Sequence, residues 1–251
     1  MNNNHYFKRL CVAIAATIIC FVAQAQNTEI SIYANGTLPI AEFNNEATIT
    51  DAAGLFTPMD RRNIATGATA GLGFTGRFGM WFDLGMGQLL PYAEASFLWN
   101  NSKASVRDLY ENNTHNDEYN ERATAPVYFN VPMMLGLKYR YNLLPTVRPF
   151  AEFGIGYDFL FINRNGYRTW NNKELLYSYK PNGEVCWTLG LGTYLGEYVS
   201  VGLYYLGLGK HHIDYTKAFI ERHDQENGTT DFTNAERRRL GELGLRIGFH
   251  F

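Results

Sequence analysis

The chain has 251 residues, of which 46% are hydrophobic, 15% aromatic and only 18% charged, with 24 glycines. That is too aromatic for a disordered chain and too rich in Gly, Tyr and Phe for a helical bundle. A formal net charge of −2 lacks the basic excess of an electrostatic nucleic-acid binder, so no nucleic-acid partner is expected.

In chain order, the first 25 residues read as a cleaved signal peptide. Lys8 and Arg9 open it, an apolar stretch over 10–22 follows, and Ala23-Gln24-Ala25 supplies the small-x-small pattern cut before Gln26. Ile19 stands where a lipoprotein signal ahead of Cys20 wants a small residue. The domain is then 26–251, its net charge moves to −4, and Cys186 is its single cysteine, so no internal disulfide is expected.

From there the apolar pattern repeats every second residue, the signature of strands with two unlike faces. Ile30, Ile32 and Ala34 alternate with Ser31, Tyr33 and Asn35; Ala70, Leu72 and Phe74 with Gly71, Gly73 and Thr75. Ala93, Ala95, Phe97 and Trp99 oppose Tyr92, Glu94, Ser96 and Leu98. The fourth strand sets Val127, Phe129, Val131, Met133, Leu135, Leu137 and Tyr139 against Tyr128, Asn130, Pro132, Met134, Gly136, Lys138 and Arg140. In the fifth, Ala151, Phe153, Ile155, Tyr157 and Phe159 alternate with Phe150, Glu152, Gly154, Gly156 and Asp158. Val185, Trp187, Leu189 and Leu191 oppose Thr188, Gly190 and Gly192, and Val199, Val201, Leu203 and Tyr205 oppose Ser200, Gly202 and Tyr204. The eighth is the clearest: Leu243, Leu245, Ile247, Phe249 and Phe251 against Glu242, Gly244, Arg246, Gly248 and His250.

Long polar connections over roughly 40–66, 100–126, 162–183 and 211–238 alternate with short links near 78–89, 141–147 and 195–198. Four long loops on one side and three short turns on the other is the threading of an outer-membrane barrel, with both termini on the short-turn, periplasmic side. The competing architecture is a soluble lipocalin-type barrel, apolar inside. Glycine decides between them. It crowds the non-apolar face, where a narrow eight-stranded interior needs room and the outer face of a soluble barrel does not. The expected fold is therefore all-β, an eight-stranded antiparallel transmembrane up-and-down β-barrel with a closed polar core. Ten strands follow instead if part of a long loop pairs.

The segment Phe129-Asn130-Val131-Pro132-Met133-Met134-Leu135-Gly136-Leu137-Lys138-Tyr139, with Arg148-Pro149-Phe150-Ala151-Glu152-Phe153-Gly154-Ile155-Gly156, resembles the outer-membrane β-barrel family of Bacteroidetes, PorT-like members included. More distantly the chain is similar to the OmpA and OmpX barrels, without the peptidoglycan-binding domain of full-length OmpA. The C-terminal alternation ending in Phe251 resembles the signal read by barrel-assembly machinery. The resemblance implies the fold, the outer membrane as location, and barrel-assembly machinery and periplasmic chaperones as partners in biogenesis. It implies no activity.

Parity points Glu29, Glu94, Glu152, Asp158 and Glu242 inward, and Arg77, Lys138, Arg140, Arg148 and Arg246 with them. Unpaired charge in a confined interior is costly, so a paired network plugging the lumen is expected, built on Glu94, Lys138, Glu152 and Arg246 at similar heights together with Asp158, Glu242 and Arg148. The competing reading is a gated pore or proton path along the same charges. His211, His212 and Asp214, and His115, Asp117 and Glu118, offer imidazole and carboxylate, yet neither set has the spacing of a known zinc motif, and solvated loop residues explain them as well. A lipid A-modifying enzyme of this size would use Ser, His and an acid near the outer leaflet, but Ser102 and Ser178 fall in loops and Ser200 near the periplasmic end.

Trp99, Tyr157, Phe159, Phe161 and Trp187 toward one interface, and Tyr139, Phe249 and Phe251 toward the other, form an aromatic girdle. Loop aromatics (Tyr110, Tyr119, Trp170, Tyr177, Tyr179, Tyr215, Phe219, Phe232) make an adaptable binding surface, and Arg122, Arg168, Lys217, Arg237 and Arg238 suit lipopolysaccharide phosphates. The sequence thus points to a small non-enzymatic surface protein without cofactor or metal, serving envelope integrity or external binding in contact with outer-membrane lipid. PorT-like assistance to secretion, with secretion components as partners, is the alternative.

Overall fold

The computed structural model describes residues 27–44, 67–107, 125–144, 146–168, 174–221, 225–230 and 236–251. The expected signal peptide, and His115, Asp117 and Glu118, lie outside them.

Eight strands close on themselves. They are β1 (Asn27–Ile40), β2 (Ala68–Asp83), β3 (Gly87–Ser102), β4 (Val127–Tyr141), β5 (Val147–Ile162), β8 (Asn182–Leu195), β9 (Val199–Ile213) and β12 (Glu236–His250). Each pairs antiparallel with its chain neighbours, and β1 seals against β12, with Ile32 opposite Phe249 and Leu38 opposite Leu243. At about 3.4 Å per residue, strands of 14–16 residues run roughly 50 Å, long enough when tilted to span an apolar band of about 25 Å. The links between β2 and β3, β4 and β5, and β8 and β9 are short. In the first, Gly85 takes φ +83°, a left-handed conformation that a side chain resists, and its N–H donates to Asp83 Oδ1 (2.8 Å).

The exterior is apolar. Leu72, Phe74, Met133, Leu135, Phe153, Ile155, Leu189, Leu191, Leu203, Leu245 and Phe249 all project outward, Leu135 at 67% exposure. Their alternates, including Tyr33, Glu94, Asn130, Lys138, Glu152 and Arg246, are buried inside. Water would not tolerate such a surface over a polar core, whereas a bilayer requires it; the fold is a transmembrane barrel.

Two features exceed the alternating pattern. The third and fourth long connections are themselves paired, as β6 (Asn165–Arg168), β7 (Glu174–Tyr179), β10 (Tyr215–Glu221) and β11 (Gln225–Thr230), in a separate antiparallel sheet ordered β11-β10-β7-β6. Each connection is long enough to fold back on itself, and β10 of one then pairs with β7 of the other, Tyr215 opposite Tyr179. The extra pairing thus leaves the barrel at eight strands.

The second feature is a β-bulge. Leu240 pairs with Gly209 and Gly241 with Gly207, so Leu208 has no opposite residue. Gly209 adopts φ +96° to absorb it. Below the bulge the even residues Tyr204 and Leu206 face inward; beyond it the odd residues His211 and Ile213 do.

Candidate functional site

Among the described residues the lumen is where the strands concentrate chemistry, and it is layered. At mid-height Arg77 (β2) faces Glu94 (β3) and Lys138 (β4) faces Glu152 (β5) in direct cross-strand register. Arg77 Nη2 lies 2.6 Å from Glu94 Oε2, and its Nη1 donates to Glu152 Oε2 at 2.7 Å. Arg246 Nη1 stands 3.3 Å from both Glu94 Oε2 and Glu152 Oε1, while its Nε donates to Asn35 Oδ1 (3.1 Å). Lys138 Nζ completes the cluster, 3.3 Å from Glu152 Oε2, and also donates to the Tyr33 hydroxyl (3.1 Å).

Aromatic faces complete the surroundings of these cations. Arg77 Cζ sits 3.8 Å from the Tyr92 ring centroid and Arg246 Cζ 4.6 Å from that of Tyr204. The lumen glycines make room for those rings. A Cβ on Gly136 would strike Tyr92, on Gly244 Tyr204, and on Gly248 Tyr33.

At the short-turn end, Glu29 accepts from Trp81 Nε1 (2.8 Å) and the Ser31 hydroxyl (2.7 Å). His250 Nδ1 lies 2.9 Å from Glu29 Oε1 and its Nε2 lies 2.7 Å from Ser200 Oγ. A carboxylate only accepts, so Nδ1 carries the hydrogen, and in the neutral imidazole Nε2 is the acceptor that faces the Ser200 hydroxyl. The order Ser200–His250–Glu29 is that of a serine hydrolase triad. Its serine is buried, however, and borders a cavity of about 10 Å³, room for a single water. The arrangement ties β1, β9 and β12 together at the barrel floor. Inward parity of Glu29, Ser31, Ser200 and His250 is the signal for it in the sequence.

Toward the long connections the filling becomes apolar. Leu98, Tyr128, Met134, Leu160, Cys186, Leu206, Leu208, Ile213 and Leu240 pack as one cluster. A 3-10 turn (Ala41–Phe43) follows β1, entered through Ala41 at φ +55°, and sends Phe43 into the mouth against Tyr128, ring centroids 5.4 Å apart at 80°. Lys103 Nζ donates to Asn44 O (2.6 Å) and Arg239 N to Glu42 Oε2 (2.7 Å), fastening the turn.

The charges expected to form one network do not all meet. Glu94, Lys138, Glu152 and Arg246 join around Arg77. Asp158 stands six residues beyond Glu152 along β5 and Glu242 four residues from Arg246 along β12, both toward the mouth, and among the described residues neither pairs with an Arg or Lys. Asp158 instead meets His211, whose Nε2 lies 3.0 Å from Oδ2 and donates to Leu208 O (2.9 Å). Arg148 lies at the opposite end, donating to Gly196 O (2.7 Å). Equal numbers of acids and bases thus hide an axial separation: the five bases counted inward (Arg77, Lys138, Arg140, Arg148 and Arg246) lie from mid-height to the short-turn end.

His212 and Asp214 stand 3.8 Å apart at the surface, and among the described residues no third His, Cys, Asp or Glu joins them. Trp99, Tyr139, Tyr157, Trp187, Phe249 and Phe251 all project outward.

No family model matches the chain, and no curated protein matches it. Among solved structures it is similar to Neisserial surface protein A, at 9% identity and TM-score 0.36 over 89% of this chain and 97% of that one. It is also similar to an outer membrane channel from Pseudomonas putida F1, at 9% identity and TM-score 0.23 over 89% and 95%. Such loose similarity says nothing of what this chain binds or does.

Proposed function

We propose that the protein is a small, non-enzymatic outer-membrane barrel, closed to solute flow, that serves envelope integrity or external binding through its four long connections. The observation that carries this reading is the lumen itself. A desolvated ion cluster, an apolar layer and Phe43 stand in series between the two mouths, and among the described residues they leave neither a path through the lumen nor a substrate cavity inside it. What the fold leaves available is its rim. There the third and fourth connections join in one sheet. The exposed side chains of Lys180, Lys210, Arg237 and Arg239 give this end positive charge suited to lipopolysaccharide phosphates. Phe251, on the outer surface at the end of β12, serves on this reading as the assembly signal, and both termini face the periplasm.

Orientation and location are tested together by cysteine labelling, with Cys186 buried and silent. A membrane-impermeant maleimide labels K180C on intact cells and labels E197C, in the β8–β9 turn, only after the outer membrane is permeabilised. The reverse pattern, or recovery of the barrel outside the outer-membrane fraction, contradicts the reading.

A further inference from the structure

The lumen cations at mid-height each meet a carboxylate, but two arginines at the short-turn end do not. Arg140 ends β4 and Arg148 opens β5, and they are diagonal neighbours, since Arg140 pairs with Phe150. Both guanidiniums lie against one ring: Arg140 Cζ is 4.7 Å and Arg148 Cζ 5.9 Å from the Tyr194 centroid. Arg140 also stacks on Trp81 at 3.9 Å, with 7% of its surface exposed. Its Nη2 donates to the Gln88 amide oxygen and that of Arg148 to Gly196 O (2.7 Å), both neutral acceptors. The Nε of each is buried with no acceptor among the described residues.

The carboxylates that face this corner are accounted for. Glu29 already accepts from Trp81, Ser31, His250 and Tyr194. Asp83 turns back onto Gly85 N, and Glu197 is exposed in its turn. Residues 1–26 and the β4–β5 link contain no Asp or Glu. Glu29 lies near enough to act on Arg140 through space, but no carboxylate hydrogen-bonds either group among the described residues, and two adjacent guanidiniums, one buried and one half-buried, repel each other. Their free Nε–H groups, and the aromatic faces that fix their planes, are the elements of an oxyanion clamp.

We propose that Arg140 and Arg148, positioned by Tyr194 and Trp81, bind a phosphoryl group entering from the short-turn mouth. A phosphate dianion neutralises both guanidiniums and offers oxygens to each fork, whereas a carboxylate leaves one charge uncompensated. Inorganic phosphate and the phosphomonoester headgroup of a lipid carry the same chemistry.

The full chain, refolded in a maltoside detergent free of phosphate, is titrated with inorganic phosphate, with short-chain phosphatidic acid and with acetate at constant ionic strength. Binding is read by calorimetry and by phosphorus resonance broadening, alongside R140Q, R148Q and the charge-preserving R148K. The proposal expects saturable binding of at least one phosphoryl probe, weakened at least ten-fold in both glutamine variants and measurably in R148K. Binding of inorganic phosphate identifies a free-anion site; binding of phosphatidic acid alone identifies a lipid headgroup site. Retention of the compact, heat-modifiable form on gels verifies that each variant is folded. Acetate bound as tightly as phosphate, equal affinity in wild type and folded variants, or no saturable binding of either phosphoryl probe overturns the proposal. None of these outcomes bears on whether the barrel is closed or where it resides.

Discussion

Arg77 and Glu94 face each other directly across β2 and β3, Nη2 2.6 Å from Oε2, and neither side chain reaches solvent. The pair is desolvated, so its value lies in what its loss leaves behind. Replacing Arg77 with Met takes the shortest ion pair from both Glu94 and Glu152 and leaves them to Arg246 and Lys138 at 3.3 Å, an excess of buried negative charge that costs about 3 kcal/mol. Urea titration of the refolded barrel, followed by tryptophan fluorescence, is expected to show that drop for R77M. The double variant R77M/E94Q should lose less than the two single losses added together, because it removes both members of the pair and restores the charge balance of the cluster. Additive losses would mean that the two groups are not coupled.

The apolar exterior predicts a depth-dependent cost. L135R places a cation at mid-strand on the outer face, for about 2–4 kcal/mol, whereas L143R in the β4–β5 turn costs about 0–1 kcal/mol. Folding titrations in phospholipid vesicles measure both. On a water-facing surface the two substitutions would be equally mild, within about 0.5 kcal/mol.

Phe43 closes the loop-side mouth against Tyr128. F43A removes a fully buried ring and is expected to cost about 3 kcal/mol in the same urea assay. It should not open the barrel, since the ion cluster below is untouched. A conducting F43A would show that the apolar cap, rather than the charges, is the seal.

Much of this was legible in the sequence, and the failures have physical causes. Period-2 alternation assigns faces well wherever pairing is one-to-one, so Glu94, Lys138, Glu152 and Arg246 could be placed inside by counting. Counting fails at Leu208, because a bulge inserts a residue without changing the composition around it, and it hid the approach of His211 to Asp158. Parity also reports direction without height. Five acids and five bases therefore read as a balanced set, although Asp158 and Glu242 sit apart from those five bases. Leu98, Tyr128 and Met134 fall on the inward count, but nothing local in the sequence shows that they meet Leu160 in an apolar layer. Phe43 enters the lumen from a connection, through a backbone turn at Ala41 that no periodicity announces.

The bulge gives a further check. G209V forces a β-branched residue into φ +96° and brings its Cβ against Glu184, for an expected loss of order 1–3 kcal/mol. G36V, on the outer face of β1 with open space around it, is the control and should be neutral within about 0.5 kcal/mol. Equal effects would remove the bulge as the reason for glycine at position 209.

The central claim is that the lumen is closed, and planar-bilayer recording of the purified barrel tests it most directly. The account predicts no steady conductance for the wild-type protein under modest voltage. Stable, ohmic single-channel steps that vanish when the protein is omitted would contradict it.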